Sequence, residues 1–288
     1  MKFSVLIAHY NNSFFFKDCF KSLKEQTFRD FEVIIVDDCS KPEELENIKQ
    51  IIGTDERFKL FVNEENKGVG FTKNRCVKLA SGDICGFVDP DDALTHDAIE
   101  AMYRFINKRN CVAVYSQFYM CGDDLTIQNI FESSRQIIND DKYFFNIFLS
   151  VNHFFAFKRK KYFKTSAINP ELSSSVDQDL YLKLYEKGSF KFLAKPLYLY
   201  RTHEKGVSQH PEKKKRLYEN WHEVLLHTLK RRNIKVLDNI SVNEIQNLPK
   251  FIFNHRNTLK RKIFRNLMKV EVLSRFNKVF HFLEKIMR

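Results

Sequence analysis

The sequence lacks several features that would settle its class at once. Its six cysteines, Cys19, Cys39, Cys76, Cys85, Cys111 and Cys121, form no Cys-x-x-Cys pair and have no histidine beside them at zinc spacing, so a zinc finger is excluded. Several fall in apolar stretches, where a free thiol behaves as a small hydrophobe, and a reducing, cytoplasmic setting is expected. No window approaches the roughly 18 apolar residues of a membrane span. The start, Met1-Lys2 followed by the apolar run 3–8, is too short for a signal h-region and has no small-residue cleavage site. The protein is therefore expected to be neither exported nor an integral spanner. Internal repeats and low-complexity tracts are also missing.

What is present suits a folded protein. The 288 residues suffice for one sizeable core, or one core with a small appended subdomain, and 43% hydrophobic with 29% charged residues is ordinary for a soluble fold. The net charge of +12 asks for a partner or a reason. Most of it sits at one end: residues 256–288 hold ten Lys/Arg against two Glu, a surplus of eight. From Leu259 onward, Ile263, Leu267, Val270, Leu273, Phe276, Phe280, Leu283 and Met287 recur at three- and four-residue steps. That pattern predicts a basic amphipathic helix, which suits either an anionic membrane surface or packing on protein.

Short apolar runs at 3–8, 32–37, 58–62, 84–89 and 112–120 alternate with helix-like stretches in the first half, a pattern that predicts a mainly parallel sheet with helices on its faces. The first helix is expected after Asn11-Asn12-Ser13, which are good N-cap residues. The second follows Pro42, with Glu43-Glu44 at its positive end. The third spans about 70–80. A fourth is expected over 177–187, followed by two short strands at 190–194 and 197–200 and a basic helical segment from Pro211. Three regions follow from this reading: 1–95, 96–209 and a C-terminal helical extension over 210–288.

Ligands of open parallel sheets bind beyond the carboxyl ends of the strands. Three such ends carry polar clusters: Ala8-His9-Tyr10-Asn11-Asn12, Asp37-Asp38-Cys39-Ser40 and Asp89-Pro90-Asp91-Asp92. Crowded carboxylates stay ionised only beside a cation or strong donors, and Mn²⁺ or Mg²⁺ meets that need while leaving room for substrate phosphates. Taken alone, the last cluster serves equally as a helix N-cap, and Asp37-Asp38 as a strand-ending turn.

The ordered set of motifs resembles the inverting family 2 glycosyltransferases of GT-A fold. The matching stretches are 4–12 (SVLIAHYNN), 22–40 (SLKEQTFRDFEVIIVDDCS), 66–68 (NKG) with Lys73-Asn74, 80–92 (ASGDICGFVDPDD), 176–184 (VDQDLYLKL) and 200–203 (YRTH). The resemblance implies a Rossmann-like, mainly parallel mixed sheet flanked by helices, with 1–95 as its nucleotide-sugar-binding half and 96–209 as its acceptor-binding half. It implies a nucleoside-diphosphate sugar donor, UDP by preference, contacted by Ala8, Tyr10, Asn11, Asp38, Lys73, Asp89 and Arg201. By the same resemblance Asp91 and His203 bind the metal, residues 204–208 form a loop over the site, and Asp177 is the general base on the acceptor hydroxyl. Further candidates are Asp92, the acidic follower of the Asp-x-Asp motif, Asp179 as a rival to Asp177, and His153 beside the acceptor.

Three departures stand out. Val176 replaces the glutamate that precedes the base, Lys73 stands for the usual arginine, and Cys39 and Cys76 replace frequent glycines. The acceptor is expected to be a glycan or lipid-linked glycan of bacterial surface polysaccharide, reached from the inner face of the membrane. The rival readings are a nucleotidyltransferase, a nucleic-acid-binding protein and a transferase that only binds. The first lacks its glycine-rich phosphate loop, since the loop after the first strand is His9-Tyr10-Asn11-Asn12-Ser13. The second is disfavoured by acidic strand ends that repel phosphate. Sugar, linkage and oligomeric state are not written in the sequence.

Overall fold

The computed structural model describes residues 2–203 and 211–256, with side chains from Lys215 onward in the second span. The expected basic amphipathic helix beyond Leu259 and the loop 204–208 lie outside them. In chain order the elements are β1 (Phe3–His9), α1 (Ser13–Lys24), β2 (Phe31–Asp37), α2 (Pro42–Ile52), β3 (Phe58–Val62), α3 (Val69–Leu79), β4 (Ile84–Phe87), β5 (Ala93–Leu94) and α4 (Ala98–Asn107). There follow β6 (Ala113–Cys121), β7 (Ile127–Ile130), β8 (Phe155–Lys158), α5 (Arg159–Tyr162), α6 (Val176–Tyr185), β9 (Phe190–Arg201), α7 (Pro211–Arg231), β10 (Val236–Leu237), β11 (Ile240–Ser241) and α8 (Leu248–Arg256).

One mixed sheet runs β3-β2-β1-β4-β8-β6-β9-β5, with β7 pairing to β6. Strands β1 to β4 are parallel to one another, and β8 joins the halves by pairing antiparallel to both β4 and β6. Because β2 and β4 lie on opposite sides of β1, the chain order reverses there, and a crevice opens beyond the carboxyl ends of β1 and β4. His9 and the Asp89-Asp92 run stand at those two ends.

Both faces of β1 and β2 are covered, which is why they read as unbroken apolar runs. Phe3, Val5 and Ile7 pack with Phe16 and Leu23 of α1, Ile48 of α2 and Met102 of α4. On the other face Leu6, Ile34 and Val36 belong to one apolar cluster with Cys76 and Val77 of α3, Leu180 and Leu184 of α6, and Val224, Leu225 and Leu229 of α7. The C-terminal segment thus shares the central core through α7. Burying each such leucine is worth roughly 2 kcal/mol.

The structure differs from the sequence reading in three places. The two strands expected at 190–194 and 197–200 are one strand, β9. Its register against β6 jumps from Ser116–Leu193 to Gln117–Pro196, so Ala194 and Lys195 bulge out without ending the pairing. The segment from Pro211 is not wholly helical: a ribbon of β10 and β11 interrupts it, turning at Asp238 and Asn239, both at positive φ (48° and 65°). Asp and Asn tolerate that conformation, the requirement of the tightest hairpin turn. Asn12 makes no side-chain cap on α1. Glu44 of α2 takes that place, accepting the Ser13 amide at 2.8 Å, and this bond holds its carboxyl below the usual range.

Candidate active site

The ends of β1 and β2 are locked together by a hydrogen-bonded lattice. Asp37 accepts from Ser40 Oγ at 2.6 Å and from the Ser40 amide at 2.8 Å, and its Oδ2 lies 2.7 Å from His9 Nδ1. The Asn12 amide donates to His9 Nε2 at 3.3 Å, which fixes the proton on Nδ1. Burial opposes the Asp37 charge, but these donors outweigh it and keep the carboxyl below its ordinary value. Asn11 adds two bonds, from its amide to Ser40 Oγ (2.8 Å) and from the Lys41 amide to its Oδ1 (2.9 Å). Cys39 sits at φ 61°, a conformation natural to glycine.

Asp38 is buried at 4% exposure, and both of its oxygens have partners. Asn63 Nδ2 (2.6 Å) and the Lys67 amide (2.9 Å) reach Oδ1, and the Gly68 amide (2.8 Å) reaches Oδ2. Gly68 has φ 84°, which a side chain would resist, and it is the residue that opens α3. Asp38 therefore holds the turn into α3 at the β2 end of the crevice. Nearby Ala8 is half-buried, and Tyr10 exposes 51% of its surface to the crevice mouth.

Beyond β4 the carboxylates divide by environment. Asp92 is buried, accepting from Tyr198 Oη at 2.6 Å and from the Arg201 amide at 2.7 Å. Burial, with Asp91 and Asp89 close by, pushes its carboxyl well above the usual range. Arg201, expected at the donor, has its guanidinium engaged within the fold. Nε donates to the Asp91 carbonyl at 2.6 Å, Nη2 reaches Asp18 at 2.7 Å, Nη1 reaches the Asp123 carbonyl, and the group lies 4.5 Å over the Phe15 ring. It fastens the end of β9 to the Asp89-Asp92 loop.

Asp89, Asp91 and Asp177 remain partly exposed. Lys73 of α3 stands between two of them, with Nζ 3.1 Å from Asp89 and 2.9 Å from Asp177. Burial works against its charge, but Asp177 and Asp89 outweigh that cost and hold the ammonium well above its ordinary pKa. Burial likewise opposes ionisation of Asp89, while Lys73 and His153 keep its carboxyl below the usual value. Gly70 permits this placement. A Cβ there would lie 2.5 Å from the Asn169 carbonyl and 2.7 Å from that of Leu172, so only glycine lets α3 approach the 169–172 loop so closely.

Asp91 Oδ2 meets His203 Nε2 at 2.9 Å, with the imidazole 4.6 Å from the Phe15 ring. Among the described residues His203 Nδ1 is buried with no partner. His153 stacks on Tyr198 at 4.8 Å and on Tyr200 at 6.0 Å. Asp179, expected as a rival base, is 1% exposed, pairs with Lys183 at 2.7 Å and accepts the Asn169 amide at 2.9 Å. Val176 is buried in the core cluster, so the position of the departure from Glu is apolar here.

Two groups of side chains have the composition of a divalent-cation site. Ligand atoms of Asp89, His153 and Asp177 all lie within 4.8 Å of one another. Lys73 already supplies a positive charge between those two carboxylates, so a second cation there would meet repulsion. Asp91 and His203 offer one carboxylate and one imidazole, with Arg201 touching Asp91 only at its carbonyl. That pair fits a hard cation that completes its shell with phosphate oxygens.

The sequence places His9 in a strand-end cluster without a role of its own and does not single out Asn63 or Tyr198. Strand periodicity carried a signal for the last, since Tyr198 and Tyr200 are two apart and share a face of β9.

Residues 4–164 match the family model described as glycosyl transferase family 2. The chondroitin synthase of Escherichia coli is 31% identical over 214 residues, covering 71% of this chain and 29% of that protein. The hyaluronan synthase of Pasteurella multocida is 28% identical over 257 residues, covering 87% of this chain and 25% of that protein. The chain thus spans less than a third of the length of these relatives. Among solved structures, Staphylococcus aureus TarS 1–349 in complex with UDP-GlcNAc superposes with TM-score 0.66 at 19% identity, over 91% of this chain and 78% of that one. The mannosyltransferase PcManGT of Pyrobaculum calidifontis, in complex with GDP-Man and Mn²⁺, gives 0.52 at 11% identity, over 96% and 86%. At these identities the likeness shows the fold, a GT-A architecture.

Proposed function

The chain belongs to glycosyl transferase family 2, and from that premise we propose that it moves a sugar from a UDP-sugar to a hydroxyl of a growing glycan, with inversion at the anomeric carbon. The observation that carries this reading is the grouping of Asp89, Asp91 and Asp177 at one crevice, with Lys73 bridging the first and last.

In this reading Asp177 takes the proton of the acceptor hydroxyl as its oxygen forms a bond to the anomeric carbon. The bond to the diphosphate oxygen breaks on the opposite face, so the configuration inverts and the nucleoside diphosphate leaves. Lys73 fixes the Asp89 and Asp177 carboxylates relative to each other and offsets their mutual repulsion. Ala8, Tyr10 and Asn11 line the nucleoside end, where Asp38, expected as a donor contact, holds the turn into α3 instead; Asp89 lies toward the ribose, and Arg201 holds the loop that carries Asp91. Asp91 and His203 are the residues that would hold Mn²⁺ or Mg²⁺, which when bound stabilises negative charge on the departing diphosphate. Asp92 keeps the Asp89-Asp92 turn closed through Tyr198 and the Arg201 amide.

The UDP-GlcNAc complex of TarS supports the donor class, and the Mn²⁺ complex of PcManGT supports divalent metal use. The chondroitin and hyaluronan synthases support a glycan acceptor in bacterial surface polysaccharide synthesis. The half-buried His153, with a ring nitrogen within 4.8 Å of the Asp89 and Asp177 carboxylates, stacks on the buried Tyr198 and on Tyr200 and suits the apolar face of an acceptor pyranose. No helix among the described residues is long and apolar enough to cross a membrane. Contact with an anionic membrane surface through the basic segment 256–288 belongs to the same reading and rests on its sequence pattern.

The test is a screen of UDP-, GDP- and TDP-sugars with Mn²⁺ or Mg²⁺ and short glycan acceptors, following nucleoside diphosphate release and the anomeric proton of the product. The expected result is metal-dependent release from a UDP-sugar and a product anomer opposite to the donor. Retained configuration, or turnover unaffected by chelation, would overturn the mechanism.

A further inference from the structure

Asp177 is the second residue of α6, and Ser175, which turns the chain into that helix, has φ 57°. A residue with a Cβ resists this left-handed conformation, so its neighbours must hold it. They come from α7. Ser175 Oγ donates to the Leu217 carbonyl at 3.1 Å, and Ser174 Oγ lies 3.5 Å from the Arg216 carbonyl. The Asn220 side-chain amide lies 2.9 Å from Ser173 Oγ and 2.8 Å from Ser174 Oγ. With its amide oriented to satisfy every neighbour, the Asn220 oxygen accepts from the backbone N–H of Ser173 (3.3 Å) and of Ser174 (3.0 Å), and from both hydroxyls.

The stretch just before these serines is held from the other side by α3. The Gly70 amide donates to the Leu172 carbonyl at 3.0 Å, and Lys73, one turn further along α3, holds the Asp177 carboxylate itself. The segment 169–175 is therefore clamped between α3 and α7.

The geometry points to Asn220 as a positioning residue for Asp177: it fixes the 173–175 segment on α7 and so sets where the base carboxylate stands against the acceptor hydroxyl. This rests on the reading of Asp177 as the base. Asn220 touches no reacting group, and its effect passes through the serines. Displacing a catalytic group by about 1 Å costs as much as 10²-fold in rate.

The test compares Asn220→Ala, Asn220→Asp and Asp177→Asn in the full chain, measuring kcat and KM for transfer, donor affinity by calorimetry, and melting temperature. Asn220→Ala is expected to lower kcat by about 10- to 100-fold, with donor affinity within about twofold. Asn220→Asp keeps the accepting oxygen and is expected to restore most of the rate. Unchanged kcat in Asn220→Ala would overturn the proposal, as would a rate loss matched by weakened donor binding and lowered melting, or failure of Asp to rescue. Should Asn220→Ala not fold, Ser174→Ala removes one of the two hydroxyls and reads the same kcat-against-KM split at smaller amplitude. If Asp177→Asn abolishes transfer while Asn220→Ala does not lower it, only the positioning role fails. If Asp177→Asn transfers normally, the base assignment fails and this proposal with it.

Discussion

The carboxylates of this protein fall into two populations, and the contrast separates scaffold from chemistry. Asp37, Asp38 and Glu32 are buried, each with partners on both oxygens. Asp89, Asp91 and Asp177 sit at the crevice, partly exposed, and among the described residues they have few partners apiece: Lys73 for the first and third, His203 for the second. A saturated carboxylate has its lone pairs committed to the fold. One held by a single cation or imidazole has lone pairs left for a metal, a proton or a substrate hydroxyl.

The comparison can be broken most forcefully at Asp91. Among the described residues its carboxylate touches His203 and carries no structural hydrogen bond comparable to those of Asp38. Asp91→Ala is therefore expected to leave melting nearly unchanged while lowering turnover by about 10²–10³-fold, the scale of losing one electrostatic stabiliser of a developing charge. Steady-state kinetics against added Mn²⁺ checks this, and unaltered turnover would move Asp91 out of the working population.

A smaller and opposite effect is expected at Glu32. Its Oε1 accepts from Ser4 Oγ, the Ser81 amide and Ser81 Oγ, each at 2.7 Å, and Oε2 meets Lys59 at 2.8 Å. Burial opposes its charge, yet these partners together lower the carboxyl from 4.5 to about 2. Because the folded value is the depressed one, the stabilisation is fully present above the unfolded value and is lost as pH falls from about 5 toward 2. At about 1.4 kcal/mol per pKa unit, that shift corresponds to roughly 3 kcal/mol. Glu32→Gln should be less stable at pH 7 and should converge with the parent as pH falls through that window, at unchanged turnover. Denaturant titrations across the window decide it, and curves that stay parallel would deny Glu32 its place in the scaffold.

Much of the frame was legible in the chain. Period and punctuation located β1 to β4 and the helices between them, because both faces of the sheet are covered and each strand is a short apolar run. Strand ends at the switch between β1 and β4 then named the crevice. Less legible were partners remote in sequence. Lys73 and Asp177 are 104 residues apart, and nothing local foretells that Gly70 lets α3 approach closely enough for them to meet. Arg201 read as a donor contact from its motif, yet its partners Asp18, Asp91 and Asp123 come from three separate loops or helices. Asp177 and Asp179, two residues apart on one helix, looked alike in sequence. Helix geometry turns the second into the core, where Lys183 takes it at i+4. The Asp238-Asn239 hairpin did carry a local signal, and the basic helical pattern around it masked that signal.

The most direct measurement of the division between scaffold and working carboxylates is single-turnover transfer by Asp177→Asn with a bound UDP-sugar and a glycan acceptor. An asparagine preserves size and keeps an oxygen toward Lys73 but cannot accept the acceptor's proton. The account predicts donor affinity close to the parent's and transfer lower by about 10²–10⁴-fold, the range of general base catalysis. Transfer at the parental rate, with donor binding intact, would contradict it.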